Sequence, residues 1–375
     1  MALDNAKTRL PSCEDLWEDI LCVRHTERAS PDMTLAEALE MLYIEKRLPP
    51  GLSEFGVGIL IHAIYHHTKM MLLKPTRLSS WVPSATAEPR PNTQSTPATL
   101  SWLPTTPTAA KWRNSACDAL DILHWHANSK VAKSSGYEHH TILHLHLARL
   151  IILTPIQSIQ RLVASLTTSL ISHSFSEQTR IASARIELFQ WVVRDCYKAR
   201  LSVIHCAALF WHVRRYSCDS VQEPFAVYIS TLVLWAFSIA MQLPEIVEAN
   251  ANDEAATPDP SFCHLDRPLD DELVQLFVRV GHRMCPNISK VGNILDPQAA
   301  PKILREGHYL LTVGSQAHVT PGNMSRGPYP APCFTWGIEE SYAKVLADLS
   351  NATEDVSSST AERGCNVFPW ALATN

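Results

Sequence analysis

Seventeen histidines are the first residues in this 375-residue chain whose type invites chemistry. His62 and His66, and His140 and His144, are each four apart and so share one side of a helix. A His-x-x-x-His pair holds a metal when a carboxylate or thiolate joins it. Neither pair carries the intervening Glu of His-Glu-x-x-His, so the expectation is imidazoles packed in a core or interface, with no metal and no cofactor. Asp270-Asp271-Glu272 approaches the Asp-Asp-x-x-Asp magnesium motif of all-α isoprenoid enzymes. Position 274 is Val, however, and helix capping explains these acids more simply. No nucleophile elbow, phosphate loop or dinucleotide glycine pattern occurs. No catalytic constellation is complete, and the chain is not expected to be an enzyme.

A third set lies on one apolar stretch: His205, His212, Arg214 and Arg215. These four are the candidate contacts for an effector or partner. In the small-molecule version, the central helices line an apolar cavity, and His205, His212 and Arg214 are its polar contacts. In the protein version, Arg214 and Arg215 grip an acidic group. The plainer reading is that two cations complement the dipole at a helix C-terminus.

The elements that position these residues run from Tyr197 to Met241. Leu201, Ile204, Ala208 and Trp211 recur at helical spacing, with Val203, Ala207 and Phe210 on the flank, so the first helix is buried. Ser220 with Glu223 suggests a capping box, and Pro224 suits a first helical turn. From Pro224 to Pro244 no residue is charged. That run is long enough to span a bilayer, with Arg214 and Arg215 as a positive flank. Tyr228, Ser230, Thr231, Ser238 and Gln242 within it favour a central core helix, and no membrane partner is expected.

Around this pair the apolar periodicity predicts helices over Thr34–Arg47, Phe55–Leu73, Lys111–Ser129, Tyr137–Leu153, Ile156–Ser172, Thr179–Lys198, Asp270–His282, Ala300–Val313 and Trp336–Leu349. Pro75 to Thr108 is rich in Pro, Ser and Thr and reads as an irregular loop, and Glu245–Ser261 as an exposed one. The expected fold is therefore all-α, a multi-helical bundle-like domain with long irregular loops. Its parts are an N-terminal helical region (1–74), the Pro/Ser/Thr-rich loop (75–108), a main helical body (109–350) and a loose tail (351–375).

Composition narrows the class. Hydrophobic residues make up 46% and charged residues 18%, which is globular rather than disordered. A net charge of -5 provides no general attraction to a polyanion. The ten cysteines include no Cys-x-x-Cys, which fits reduced, intracellular thiols. MALDNAKTRLPS has no apolar signal core, so the sequons at Asn287, Asn323 and Asn351 are expected to be chance matches.

Two long blocks carry a likeness. CDALDILHWHANSKVAKSSGYEHHTILHLHLARLIILTP (Cys117–Pro155) and KARLSVIHCAALFWHVRRYSCDSVQEPFAVYISTLVLWAF (Lys198–Phe237) resemble the fungal-specific transcription factor domain. LPSCEDLWED (Leu10–Asp19) and DRPLDDELVQLFVRVG (Asp266–Gly281) are similar to other blocks of that family. The resemblance covers about residues 10 to 350, and is closest to fungal regulators with classical zinc fingers at their N-terminus. It implies an all-α regulatory region, nuclear location, and control of RNA polymerase II genes, often metabolic ones. It supplies no catalytic residues. This chain departs from the full pattern. It has neither a Cys-x-x-Cys followed by His-x-x-x-His nor a six-Cys cluster, and Cys13, Cys22 and His25 are too sparse to serve. No DNA-binding residue is assigned, and zinc is expected only if N-terminal fingers exist elsewhere. The expected partners are transcription machinery or co-regulators, with DNA reached through a missing module or a partner, and with self-association into a homo-oligomer left open.

Overall fold

A computed structural model describes residues 8–11, 33–73, 107–133, 140–167, 175–216, 220–251, 261–266, 271–312 and 337–362. These residues are 80% helical with one small three-stranded sheet, so the fold is mostly all-α. The chain divides into two compact units, Met1–Ile152 and Leu153–Asn375.

The first unit is built on α1 (Leu35–Glu40), α2 (Glu54–Leu73), α3 (Pro107–Lys133) and α4 (His140–Leu153). Thr34 caps α1 reciprocally: its Oγ accepts from the Glu37 N–H at 3.3 Å, and Glu37 Oε2 accepts from the Thr34 N–H at 2.8 Å. A π-helical turn, Met41–Glu45, follows and stops at Lys46, whose φ of 56° turns the backbone left-handed. Ala38, Leu39 and Leu42 bury fully against Leu60, Ile61 and Ile64 of α2 and Leu120 and Leu123 of α3. Trp125 of α3 is 79% exposed. The inward α3 positions are instead Ala116, Ala119, Leu120 and Leu123, spaced three and four apart. Trp125 falls two residues beyond Leu123, on the opposite side of the helix.

The second unit wraps a single helix. Its elements are α5 (Ile156–Thr167), α6 (Phe175–Arg194), α7 (Cys196–Tyr216), α8 (Glu223–Met241), α9 (Pro244–Ala251), α10 (Asp271–Val280), α11 (Ala299–Thr312) and α12 (Ile338–Glu362). Helix α8 is buried on every side from Glu223 to Ala240 except at Phe225. Helices α5, α6, α7, α11 and α12 pack around it. Trp191 of α6 meets Phe237 edge-on at 6.2 Å and donates its indole N–H to the Leu153 carbonyl at 2.9 Å. Tyr228 of α8 stacks on Tyr342 of α12, with ring centroids 4.3 Å apart. Among the described residues, α8 is the one single helix long and apolar enough to cross a membrane, and 89% of its most apolar window is buried within the fold.

Three expectations are corrected here. Gln222 is the N-cap of α8 and makes no side-chain cap bond, and the Ser220 hydroxyl donates to the Gln222 side chain at 2.6 Å. Ser220 lies two residues ahead of the cap and so misses capping-box spacing, while Pro224 does occupy the first turn. Of Glu245–Ser261, expected as loop, the part up to Ala251 belongs to α9, because Pro244 suits a helix start and Ile246 buries with Leu243. Helix α12 runs on to Glu362, so the first part of the expected tail is helical.

A small sheet, which the periodicity did not suggest, also forms. β1 (Phe262–His264) runs parallel to β2 (Cys285–Ile288), and β2 pairs antiparallel with β3 (Gly292–Asn293). The Leu10–Asp19 segment past Pro11, with Cys13, Cys22 and His25, lies outside the described residues. So do the Pro/Ser/Thr-rich stretch through residue 106 and the Gly314–Pro332 turn region.

Helix α11 lies tight against α8 at Gly307. A Cβ there would stand 2.1 Å from Thr231 Oγ1 and 2.5 Å from its Cγ2. The Thr231 hydroxyl is also held, donating to the Val227 carbonyl at 2.7 Å. Gly307→Ala should therefore lower stability by about 1–3 kcal/mol through overpacking. Thr231→Ala in the same chain should recover most of that loss, read as coupling in a double-mutant cycle of urea midpoints.

Candidate functional site

Helix α7 presents the four candidate contact residues to three different environments. His205 and His212 lie on its inward side, 5% and 1% exposed, among Val203, Cys206, Leu209 and Val213. Burial pushes the Cys206 thiol far above its ordinary range, leaving it a small hydrophobe at neutral pH. Arg215 is exposed, with Nε 3.2 Å from Tyr216 Oη and its guanidinium over that ring.

Arg214 is the node. Its Nε and Nη2 donate to Glu306 Oε1 at 3.0 and 2.8 Å, and Nη1 donates to Asp266 Oδ2 at 3.0 Å. Nη2 also reaches the Ser289 carbonyl at 2.8 Å, and the guanidinium stands 5.6 Å from the Phe210 ring centroid. Asp266 is nearly sealed from solvent and accepts a further bond from the Ser289 N–H at 2.9 Å. One helix end, the second residue after strand β1, the residue after β2 and helix α11 thus meet at one cation. Both acids that meet Arg214 here belong to the chain itself, 52 and 92 residues downstream.

A second buried cation on the same helix escaped the sequence reading. Arg200, 8% exposed, donates Nη1 to the Val278 and Arg279 carbonyls at 3.1 and 2.8 Å, and its Nη2 lies 3.2 Å from His282 Nδ1. It caps the C-terminus of α10, where carbonyls lack helical partners. Burial lowers its pKa from the ordinary guanidinium value. The available signal was an Arg inside an otherwise apolar helix.

In the first unit, two histidine pairs meet across helices. His62 of α2 packs edge-on against His144 of α4 at 5.7 Å, and His124 of α3 against His146 of α4 at 5.0 Å. Among the described residues, no three His, Cys, Asp or Glu side chains converge for a metal ion. Two further features of the second unit bear on function. A small cavity between α5, α6 and α8 is lined by Leu162, Ser165, Arg185, Leu188, Trp235 and Ile239, away from His205, His212 and Arg214. Helix α6 also exposes an apolar row: Ile186 (57%), Phe189 (36%) and Val193 (44%), spaced three and four apart.

Removing the node's cation leaves two acids facing each other with little solvent. Arg214→Met should destabilise the chain by about 3 kcal/mol, since breaking a buried pair strands its partners. Arg215→Met, on the exposed side, should stay within about 0.5 kcal/mol. Urea unfolding followed by far-ultraviolet circular dichroism separates the two.

No family model, no curated protein and no solved structure matches this chain.

Proposed function

We propose that the chain is the regulatory domain of a fungal RNA polymerase II transcription factor, without its own DNA-reading module, working in the nucleus through protein contacts. The resemblance of the Cys117–Pro155 and Lys198–Phe237 blocks motivates this reading, and the all-α architecture is compatible with it. The observation that carries the protein-contact part is the row Ile186, Phe189 and Val193 on α6. Apolar residues recurring at three- and four-residue steps on an exposed helix face match the anchors of helix-in-groove recognition. The strongest polar groups of α7 support the same reading from the other side, since Arg200 and Arg214 are engaged within the fold. The partner is transcription machinery or a co-regulator, and DNA is reached through it. On this reading α8 is the core of a regulatory domain rather than a membrane anchor, and no catalytic step is assigned.

The test fuses the chain to a heterologous DNA-binding domain in a fungal reporter strain. Expression of the reporter should change, and Phe189→Glu should abolish the change while shifting thermal stability little. Loss of one central apolar anchor weakens an interface by about 2 kcal/mol, roughly 30-fold. A reporter indifferent to the fusion, together with exclusion of the tagged chain from the nucleus, would falsify the proposal.

A further inference from the structure

The cavity between α5, α6 and α8 combines an apolar lining with two donors that lack acceptors. Leu162, Leu188 and Ile239 form walls, and Trp235 and Arg185 stand among them. Trp235 is 3% exposed, and its indole Nε1 has no hydrogen-bond partner in the protein. Arg185 Nε is likewise buried without a partner, and no described carboxylate pairs with the guanidinium. The remaining polar liner, Ser165, donates its hydroxyl proton to the Leu162 carbonyl at 2.7 Å and so offers lone pairs only. Buried donors are almost always satisfied. Burial lowers the Arg185 pKa, and no neighbouring group offsets it.

Size and charge select what completes the site. The cavity volume is ≈ 10 Å³, room for about one oxygen-sized group. A water molecule would leave the cation uncompensated. A carboxylate supplies the missing charge beside Arg185, and charge-assisted bonds of this kind are about twice as strong as neutral ones. The partly open, leucine-lined mouth then suits an aliphatic chain.

We propose that Arg185 and Trp235 form the head-group subsite for a small organic carboxylate with an aliphatic tail. One carboxylate oxygen enters the cavity and the tail lies along the leucines of α5 and α6. The site keeps the idea of an effector pocket among the central helices but moves it from His205, His212 and Arg214. It is independent of the nuclear reading, so binding with a silent reporter would overturn only that reading, and the reverse result only this one.

Hexanoate is the probe, with hexanol and hexylammonium as controls, titrated into the full chain labelled with 15N. The Trp235 indole resonance, assigned by its disappearance in Trp235→Phe, should move saturably with hexanoate and stay still with both controls. Arg185→Met should weaken hexanoate binding at least ~10-fold and Trp235→Phe about 5-fold, the losses expected for a charged and a neutral hydrogen bond. Circular dichroism checks that each variant is folded, and the wild-type resonance shift stands if either is not. An unmoved Trp235 resonance up to tens of millimolar hexanoate overturns the proposal. Equal response to hexanol, or full affinity in both folded variants, does the same.

Discussion

A helix that carries no charge after its first residue and is covered on nearly all sides sets the terms for the rest of the second unit. Helix α8 can be stable only if neighbours remove its whole apolar perimeter from water, which takes several elements rather than one. Helices α5, α6, α7, α11 and α12 supply them. Small residues decide how close they come: Gly307 lets α11 ride against Thr231, and Ala226, Ala236 and Ala240 leave no bulk on α8 to hold neighbours off. The same constraint governs polar atoms. Thr231 returns its hydroxyl to the Val227 carbonyl, one turn back. Composition alone suits α8 to lipid or to a protein core, and what distinguishes the two is the set of side chains that covers it.

The charged residues of α7 show how the periphery is fastened to that core. Arg200 and Arg214 lie fourteen residues apart, close to four helical turns, and each ends on groups from the 261–312 region. Arg200 takes the free carbonyls at the end of α10, and Arg214 takes Asp266 and Glu306. The short sheet makes the second contact feasible. Parallel pairing of β1 with β2 sets His264 opposite Asn287, so the residues just past the two strands, Asp266 and Ser289, emerge side by side. Three- and four-residue strands contribute little stability by themselves. Here they act as a register device that delivers two ligands to one guanidinium.

This explains why the helices were legible in the sequence and the site was not. Apolar residues at three- and four-residue steps depend on local geometry, so the second helix of the Tyr197–Met241 pair starts within a turn of where Pro224 suggests. Capping signals were less safe. Thr34 and Glu37 form the reciprocal cap, whereas Ser220 and Glu223, with the same spacing, do not, because the helix begins at Glu223 itself. The sheet was missed because β1 and β2 are too short to show alternation, and their pairing joins residues more than twenty apart. The acids of Arg214 were invisible for the same reason. Nothing local to Arg214 says that Asp266 and Glu306 will meet it.

A consequence follows for where binding chemistry should be sought in such a chain. Sequence reading is drawn to clustered histidines and to basic residues at a helix end, because those residue types are scarce in apolar helices. Folding consumes most of them: His205 and His212 are packed, and Arg214 is neutralised from two sides. A binding site is better recognised as a deficit that folding leaves behind. Arg185 looks ordinary in the sequence, one charge among Ile181, Ala184 and Leu188, and Trp235 looks like a packing anchor. Only their shared cavity shows that each keeps a donor the protein never satisfies. The energy of an unmet hydrogen bond scales with burial, so these two atoms, rather than the more conspicuous cations of α7, hold the larger unused capacity for a ligand.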